Sequence, residues 1–419
     1  MLRRTLVRSG GLAAGAALAG SLWQGAAGAA GAAGAAGAAT TRGAGTGRPA
    51  GPYGPLRAPD AAGLALPEGF TGRIVARSGR RIGGTRWHPA PDGGACFPDG
   101  DGWIYVSNSE VPLLGGASAI RFGPGGDVVG AYRVLSGTDL NCAGGRTPWN
   151  SWLSCEETHR GRVFECDPYG SRAAMPRLAM GRFRHEAAAC DPVRGVVYLT
   201  EDEPDGCFYR FRPFHWGDLT AGRLEVLCAG RGAGRRARGA QGDAGPDAGG
   251  SGGRDAGRGG RRVAWRPVPD PGAAPVATRH QVEGARRFSG GEGCHYADGV
   301  CFFTTKGDDR VWAYDAEDET LRVVYDAGAP LSGVDNITGT ASGDLYVAED
   351  GGDMEINVIT PDRVVAPVVR IEGHPRSEIT GPAFSPAGDR LYFSSQRGPR
   401  GDAAGTGGVT YEVTGPFRR

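Results

Sequence analysis

The sequence predicts an all-β fold, a six-bladed β-propeller with a central metal channel, and three observations carry that expectation. First, 75 glycines and 29 prolines in 419 residues, with 8% aromatics, describe a turn-rich chain of short strands and exclude a helical bundle. Second, an apolar strand ending in acidic or polar residues recurs six times: Trp103–Glu110, Trp152–Glu157, Val197–Asp202, Cys301–Lys306, Leu345–Asp350 and Leu391–Gln396. Anchored on Tyr105, Trp152, Tyr198, Phe302, Tyr346 and Tyr392, the copies lie 44 to 47 residues apart, except for one interval of 104. Third, a second strand follows most copies within about ten residues, as in Ser118–Phe122, Arg162–Cys166, Cys207–Phe211, Val311–Asp315, Ile356–Ile359 and Val409–Val413. A unit of about 40–50 residues built of paired strands is the signature of a propeller blade. The long interval contains an insertion, and what remains is too short for two further blades. Six is therefore the expected count, with seven as the fallback.

Residues 1–39 open with Arg3-Arg4 ahead of a glycine- and alanine-rich apolar run, and resemble a twin-arginine export signal followed by low-complexity sequence. That resemblance implies passage through the twin-arginine translocase and a secreted or cell-surface protein. The run is too glycine-interrupted for a stable membrane anchor. Residues 40–54 lack apolar periodicity and read as a disordered linker. Residues 55–419 read as a single propeller domain, expected to be monomeric. Its stretch 231–262, almost wholly Gly, Ala, Arg and Asp, reads as a disordered surface insertion.

The formal charge of +1 hides an asymmetry, because residues 1–52 hold five arginines and no acid and 231–262 hold eight arginines against three aspartates. The folded remainder is therefore acidic, which argues against nucleic acid as a partner and leaves room for cations. Lys306 is the lone lysine. Nine cysteines, with no C-x-x-C pair, point neither to a zinc site nor to a disulfide framework.

In a propeller, equivalent ends of repeated strands converge on the axis. Here those ends carry Glu110, Glu156, Glu157, Glu201, Asp202, Glu349 and Asp350, with Asn108 close by. Converging carboxylates repel unless cations neutralise them, and hard cations such as calcium require such oxygen donors. Acids that merely end strands at solvent-exposed turns are the alternative. Several sequences outside the repeat are more individual, among them Thr138–Trp149, Gly181–Glu186, Phe288–His295, Asp335–Ile337 and Ser377–Pro382. A cysteine among glycines beside an acidic channel is a soft ligand that suits iron, although an isolated cysteine is more often simply buried.

The string Asn141–Glu157, with Gly-Arg-Phe-x-His-Glu at 181–186 and Val-Tyr-Leu-Thr-Glu-Asp at 197–202, resembles the PhoX-type alkaline phosphatases. The likeness runs from about residue 55 to the C-terminus, the insertion excluded. It implies an exported six-bladed propeller whose iron–calcium cluster hydrolyses phosphomonoesters. It further implies Cys142, Glu157, Glu186 and Glu292 as catalytic iron ligands, and Asp202 and Asp350 as calcium ligands. Asn108, Glu110, Asn336, Glu349 and Glu378 are further candidates. The likeness departs at Gly290, where larger members carry an arginine, leaving phosphate binding to Arg279, Arg286, Arg287 or Lys306. Two other readings of the same acids are a non-catalytic calcium-binding surface module and a calcium-dependent propeller lactonase.

Overall fold

The computed structural model describes residues 51–230, 260–328 and 330–419; the expected export signal, most of the linker and most of the insertion lie outside them. Among the described residues the strands form the six antiparallel blades of a propeller around an axis, four of them separate sheets and two joined in one nine-stranded sheet, with a two-stranded hairpin, Arg81–Ile82 and Thr85–Arg86, beside them. In each, consecutive strands run outward from the centre. Blade one comprises Pro91–Asp99, Gly102–Ser109, Gly115–Phe122 and Val128–Thr138, and blade two Asn141–Arg146, Trp152–Glu156, Val163–Cys166 and Met175–Pro176. Blade three comprises His185–Asp191, Val196–Glu201, Phe208–His215 and Asp218–Ala229, and blade four Gly291–Ala297, Val300–Thr305, Arg310–Asp315 and Thr320–Tyr325. Blade five comprises Val334–Gly339, Leu345–Glu349, Glu355–Ile359 and Val365–Ile371, edged by Leu64–Ala65. Blade six comprises Ile379–Phe384, Arg390–Ser395 and Val409–Thr414, and its outer strand, Thr71–Arg77, comes from before blade one. That N-terminal strand closes the ring.

The period-2 pattern of the repeated strand explains the packing. On Gly102–Ser109, Trp103 and Tyr105 face one neighbouring blade while Ile104 and Val106 face the other. Every strand of this kind is buried on both faces, so its sequence reads as a continuous apolar run. Six hydrophobic clusters result, one at each blade-to-blade junction.

Two expectations are corrected. The repeated strand, expected to line the axis, is the second of each blade, and the innermost strand is a segment of small and polar residues just before it. In addition, Arg261 and Arg262 belong to a strand, Arg261–Pro267, instead of the insertion. This strand pairs with the outer edge of blade three and with Leu321 and Thr320 of blade four, joining the two blades into one sheet. No helix among the described residues is long and apolar enough to cross a membrane.

Candidate metal centre

Two positions in each blade build the centre. The first lies at the start of the innermost strand, which opens on a register shift against the second strand. An irregularity of that kind re-aims a side chain, and the residues following the first paired one are Asp92, Cys142, Glu186, Glu292, Asp335 and Thr380. The second position immediately follows the last paired residue of the second strand, and is occupied by Glu110, Glu157, Asp202, Lys306, Asp350 and Gln396. Beside them the inner strands approach so closely that side chains are excluded. A Cβ on Gly93 would sit 2.4 Å from Ala143 Cα, and one on Gly293 would sit 2.5 Å from Ile337 N. Among these strands lies a cavity of about 40 Å³ whose lining includes Gly93, Gly144, Gly293 and Gly381.

The polar atoms of these rings converge. Ligand atoms of Glu110, Cys142 and Glu157 lie within 4.8 Å of one another, and so do those of Glu186, Glu292 and Asp335. Cys142 Sγ links the two groups, donating to Glu186 Oε1 at 3.2 Å. The Gln396 amide donates to both Asp92 Oδ2 and Glu110 Oε2, each at 2.6 Å. Lys306 Nζ stands 2.9 Å from Glu292 Oε1 and 3.5 Å from Asp350 Oδ2. Arg184 pairs with Glu157 and lies 3.8 Å from Asp202, and Arg397 lies 2.7 Å from Glu378.

Nine carboxylates thus share a small volume with three cations. Burial pushes Asp92 up to about 6, although hydrogen bonds from Gln396 and Gly93 hold it down. Burial and the adjacent acids push Glu110 and Glu378 up to about 8. The same two causes drive Glu157, Glu186, Glu292 and Asp335 well above the carboxylate range. The Cys142 thiol is raised by burial and then by Asp92 and Glu186. Lys306, partly exposed, is raised because Glu292, Asp335, Asp202 and Asp350 surround it and outweigh its desolvation.

Of the residues singled out in the sequence, Cys142, Glu157, Glu186, Glu292, Asp202, Asp350, Glu110, Glu378 and Lys306 are brought together here. Asn108 is not: its amide donates to the carbonyls of Cys142 and Ala143, and its oxygen accepts from Trp152 and Ser154. Glu349 turns into its own blade, accepting from Ser332 N, Glu355 N and Asn357 Nδ2. Asn336 holds blade six, its oxygen accepting from Gly381 N at 2.6 Å. Arg279 binds Glu201, Glu203 and Asp205; Arg286 lies over Phe288 and Trp312; Arg287 donates to the Asp205 carbonyl. None of these three arginines meets the cluster. Asp92, Asp335, Gln396, Arg184 and Arg397 were not anticipated as site residues. The signal that finds Asp92 and Asp335 is an acid beside glycine or asparagine at a roughly constant distance ahead of each repeated strand end. All nine cysteines are free thiols.

A family model described as alkaline phosphatase PhoX matches residues 100–164 and 158–318. A comparison with curated proteins gives no significant match. Among solved structures, a Bacteroides thetaiotaomicron protein of unknown function aligns at TM-score 0.50 and 8% identity, covering 82% of this chain and 76% of that one. A Xanthomonas campestris gluconolactonase aligns at TM-score 0.46 and 13% identity, covering 90% and 99% of the two chains. A chain of a nidogen/laminin complex aligns at TM-score 0.42 and 10% identity, covering 70% and 85%.

Proposed function

The chain belongs to the PhoX alkaline phosphatase family, and from that premise we propose that it is an exported, metal-dependent phosphomonoesterase with its reaction centre at the mouth of the propeller channel. The observation that carries this reading is the ring of buried carboxylates with one thiol among them.

The donor set fits bound cations. Glu186 Oε2 is buried with no hydrogen-bond partner among the described residues. Carboxylates packed this closely stay ionised at neutral pH only if positive charge is supplied. A thiol held neutral by burial becomes a ligand only as thiolate, which a metal ion favours. Oxygen donors suit calcium, and a thiolate with carboxylates suits iron. In this proposal Cys142, Glu157, Glu186 and Glu292 hold iron and Asp202, Asp350 and Glu110 hold calcium, with Asp92 and Asp335 added from the geometry. When bound, such cations neutralise the phosphoryl oxygens as charge builds up in an in-line displacement.

The chain's own residues do the rest. The starts of the innermost strands and the ends of the second strands fix the ligands on rigid elements, so that little reorganisation accompanies reaction. Export rests on the Arg3-Arg4 signal and is part of the proposal.

The test is hydrolysis of a chromogenic phosphomonoester by fully metallated protein at alkaline pH. Turnover that disappears on chelation supports the reading. A metallated protein that hydrolyses no phosphate ester contradicts it.

A further inference from the structure

Three cations reach the carboxylate ring from three different blades, and the two arginines among them bond differently from the structural arginines. Arg184, Lys306 and Arg397 side chains are 36%, 37% and 40% exposed, while their partners Glu157, Glu292 and Glu378 are 11%, 2% and 9% exposed. Each cation therefore stands between a buried acid and solvent, on the open side of the cluster. Structural arginines share this exposure contrast, 35% against 2% for Arg162 and Glu156 and 33% against 0% for Arg370 and Glu355, but bond differently. Arg162 grips both oxygens of Glu156, and Arg370 binds Glu355 Oε1 through two nitrogens. Arg184 instead makes a single hydrogen bond, from Nη2 to Glu157, with Nη2 also 3.8 Å from Asp202. Among the described residues its Nε and Nη1 make no hydrogen bond, and Arg397 Nη2 lies 2.7 Å from Glu378 Oε1.

A guanidinium with one edge anchored and donors to spare is suited to bind a second anion, and phosphate matches its fork geometry. Glu157 and Asp202 beside Arg184, and Glu292 and Asp350 beside Lys306, are carboxylates that the proposed cations would engage, so ligation there would free these two basic groups from part of their pairing. Arg397 pairs with Glu378, which holds no cation in this reading.

We propose that Arg184, Lys306 and Arg397 form a cationic collar that grips the terminal phosphate dianion of the substrate, with Arg184 and Arg397 supplying directional hydrogen bonds and Lys306 a point charge. This rests on the phosphatase reading for its substrate, but its first prediction concerns binding of inorganic phosphate. Arg279, Arg286 and Arg287 have no part in it, because their partners lie elsewhere.

The test uses metallated full-length protein. Binding of inorganic phosphate is measured by titration calorimetry, metal content by elemental analysis of the same samples, and KM and kcat on a phosphomonoester. Loss of one charged hydrogen bond is expected to weaken phosphate binding about 10- to 100-fold in Arg184→Gln and Arg397→Gln. Metal content stays unchanged and KM rises more than kcat falls, while Arg184→Lys recovers part of the loss. The collar is overturned if both glutamine variants bind phosphate as tightly as the parent. It is also overturned if phosphate binding falls only in proportion to lost metal, which makes the arginines supports of the carboxylates, or if the parent binds no phosphate. A parent that binds phosphate in an Arg184-dependent way yet hydrolyses no ester upholds the collar and contradicts the phosphatase reading.

Discussion

Adjacent acids at the end of one strand meet opposite fates in this protein. Glu156, Glu201 and Glu349 turn into their blades; Glu157, Asp202 and Asp350, one residue further on, belong to the channel ring. Glu156 accepts from Arg162 through both oxygens and from Asp139 N. Glu201 accepts from Tyr209, Cys207 N and Arg279, and Glu349 from two backbone N–H groups. Ser109, Thr305 and Ser395 occupy the same position in the other blades, bonded to Pro89 O, Asp308 and His374. The inward-turned set is held by donors at its own site, Arg162 for Glu156, Arg279 for Glu201 and backbone N–H groups for Glu349, although burial still pushes Glu201 and Glu349 up to about 7. The channel set crowds carboxylates of several blades together with few compensating donors. Residue type is the same, so strand alternation alone separates a structural acid from a candidate ligand.

The sharpest way to break this comparison is to neutralise each member of one pair. Glu157→Gln is expected to lower phosphatase activity and metal content by about 10- to 100-fold or more, with denaturant stability unchanged or higher. Glu156→Gln is expected to leave metal content near normal and to cost about 1–3 kcal/mol, the usual price of an unsatisfied buried hydrogen-bond group. If Glu156→Gln instead strips the metal while the fold survives, the division is wrong.

Next in size is a pH effect on protein stripped by a chelator. Folded-state values of about 6 for Asp92 and about 8 for Glu110 and Glu378 lie above ordinary carboxylate values, so the folded state holds more protons than the unfolded state between them. Stability of stripped protein must then fall as pH rises from about 4 to about 8. Metallated protein is expected to lose most of that slope, and urea melts of both forms across this range decide it.

A smaller effect of opposite sign belongs to the blades. Burial pushes His88 and His185 down to about 3 and His295 to about 4. The unfolded chain protonates these histidines near 6.5, so they withdraw stability as pH falls from about 6.5 to about 3–4. His88→Gln is expected to flatten that acid limb slightly, whatever the metal content.

The blade count was legible in the sequence because the second strand of each blade is buried on both sides and ends in a polar pair. The innermost strands were not, because close approach fills them with glycine, alanine and polar residues, with no apolar period to find. Asp92 sits in Pro91-Asp92-Gly93-Gly94, which reads as a turn, and Asp335 was passed over in favour of Asn336. Cys142, Glu186 and Glu292, on equivalent strands, came from a family likeness instead of from periodicity. Asn108 was misjudged because a polar residue near the channel resembles a ligand, and only its four hydrogen bonds reveal a clamp between blades. Arg184 and Arg397 carried no motif; their placement depends on which blade faces which.

The central claim is that the channel ring is a metal centre requiring its thiol. Elemental analysis of protein exported through its own signal, beside Cys142→Ala and with phosphomonoester hydrolysis assayed on the same samples, tests it most directly. The account predicts iron with calcium in the parent, and loss of iron together with activity in the variant. Iron-free protein in both samples, or full activity in Cys142→Ala, would contradict it.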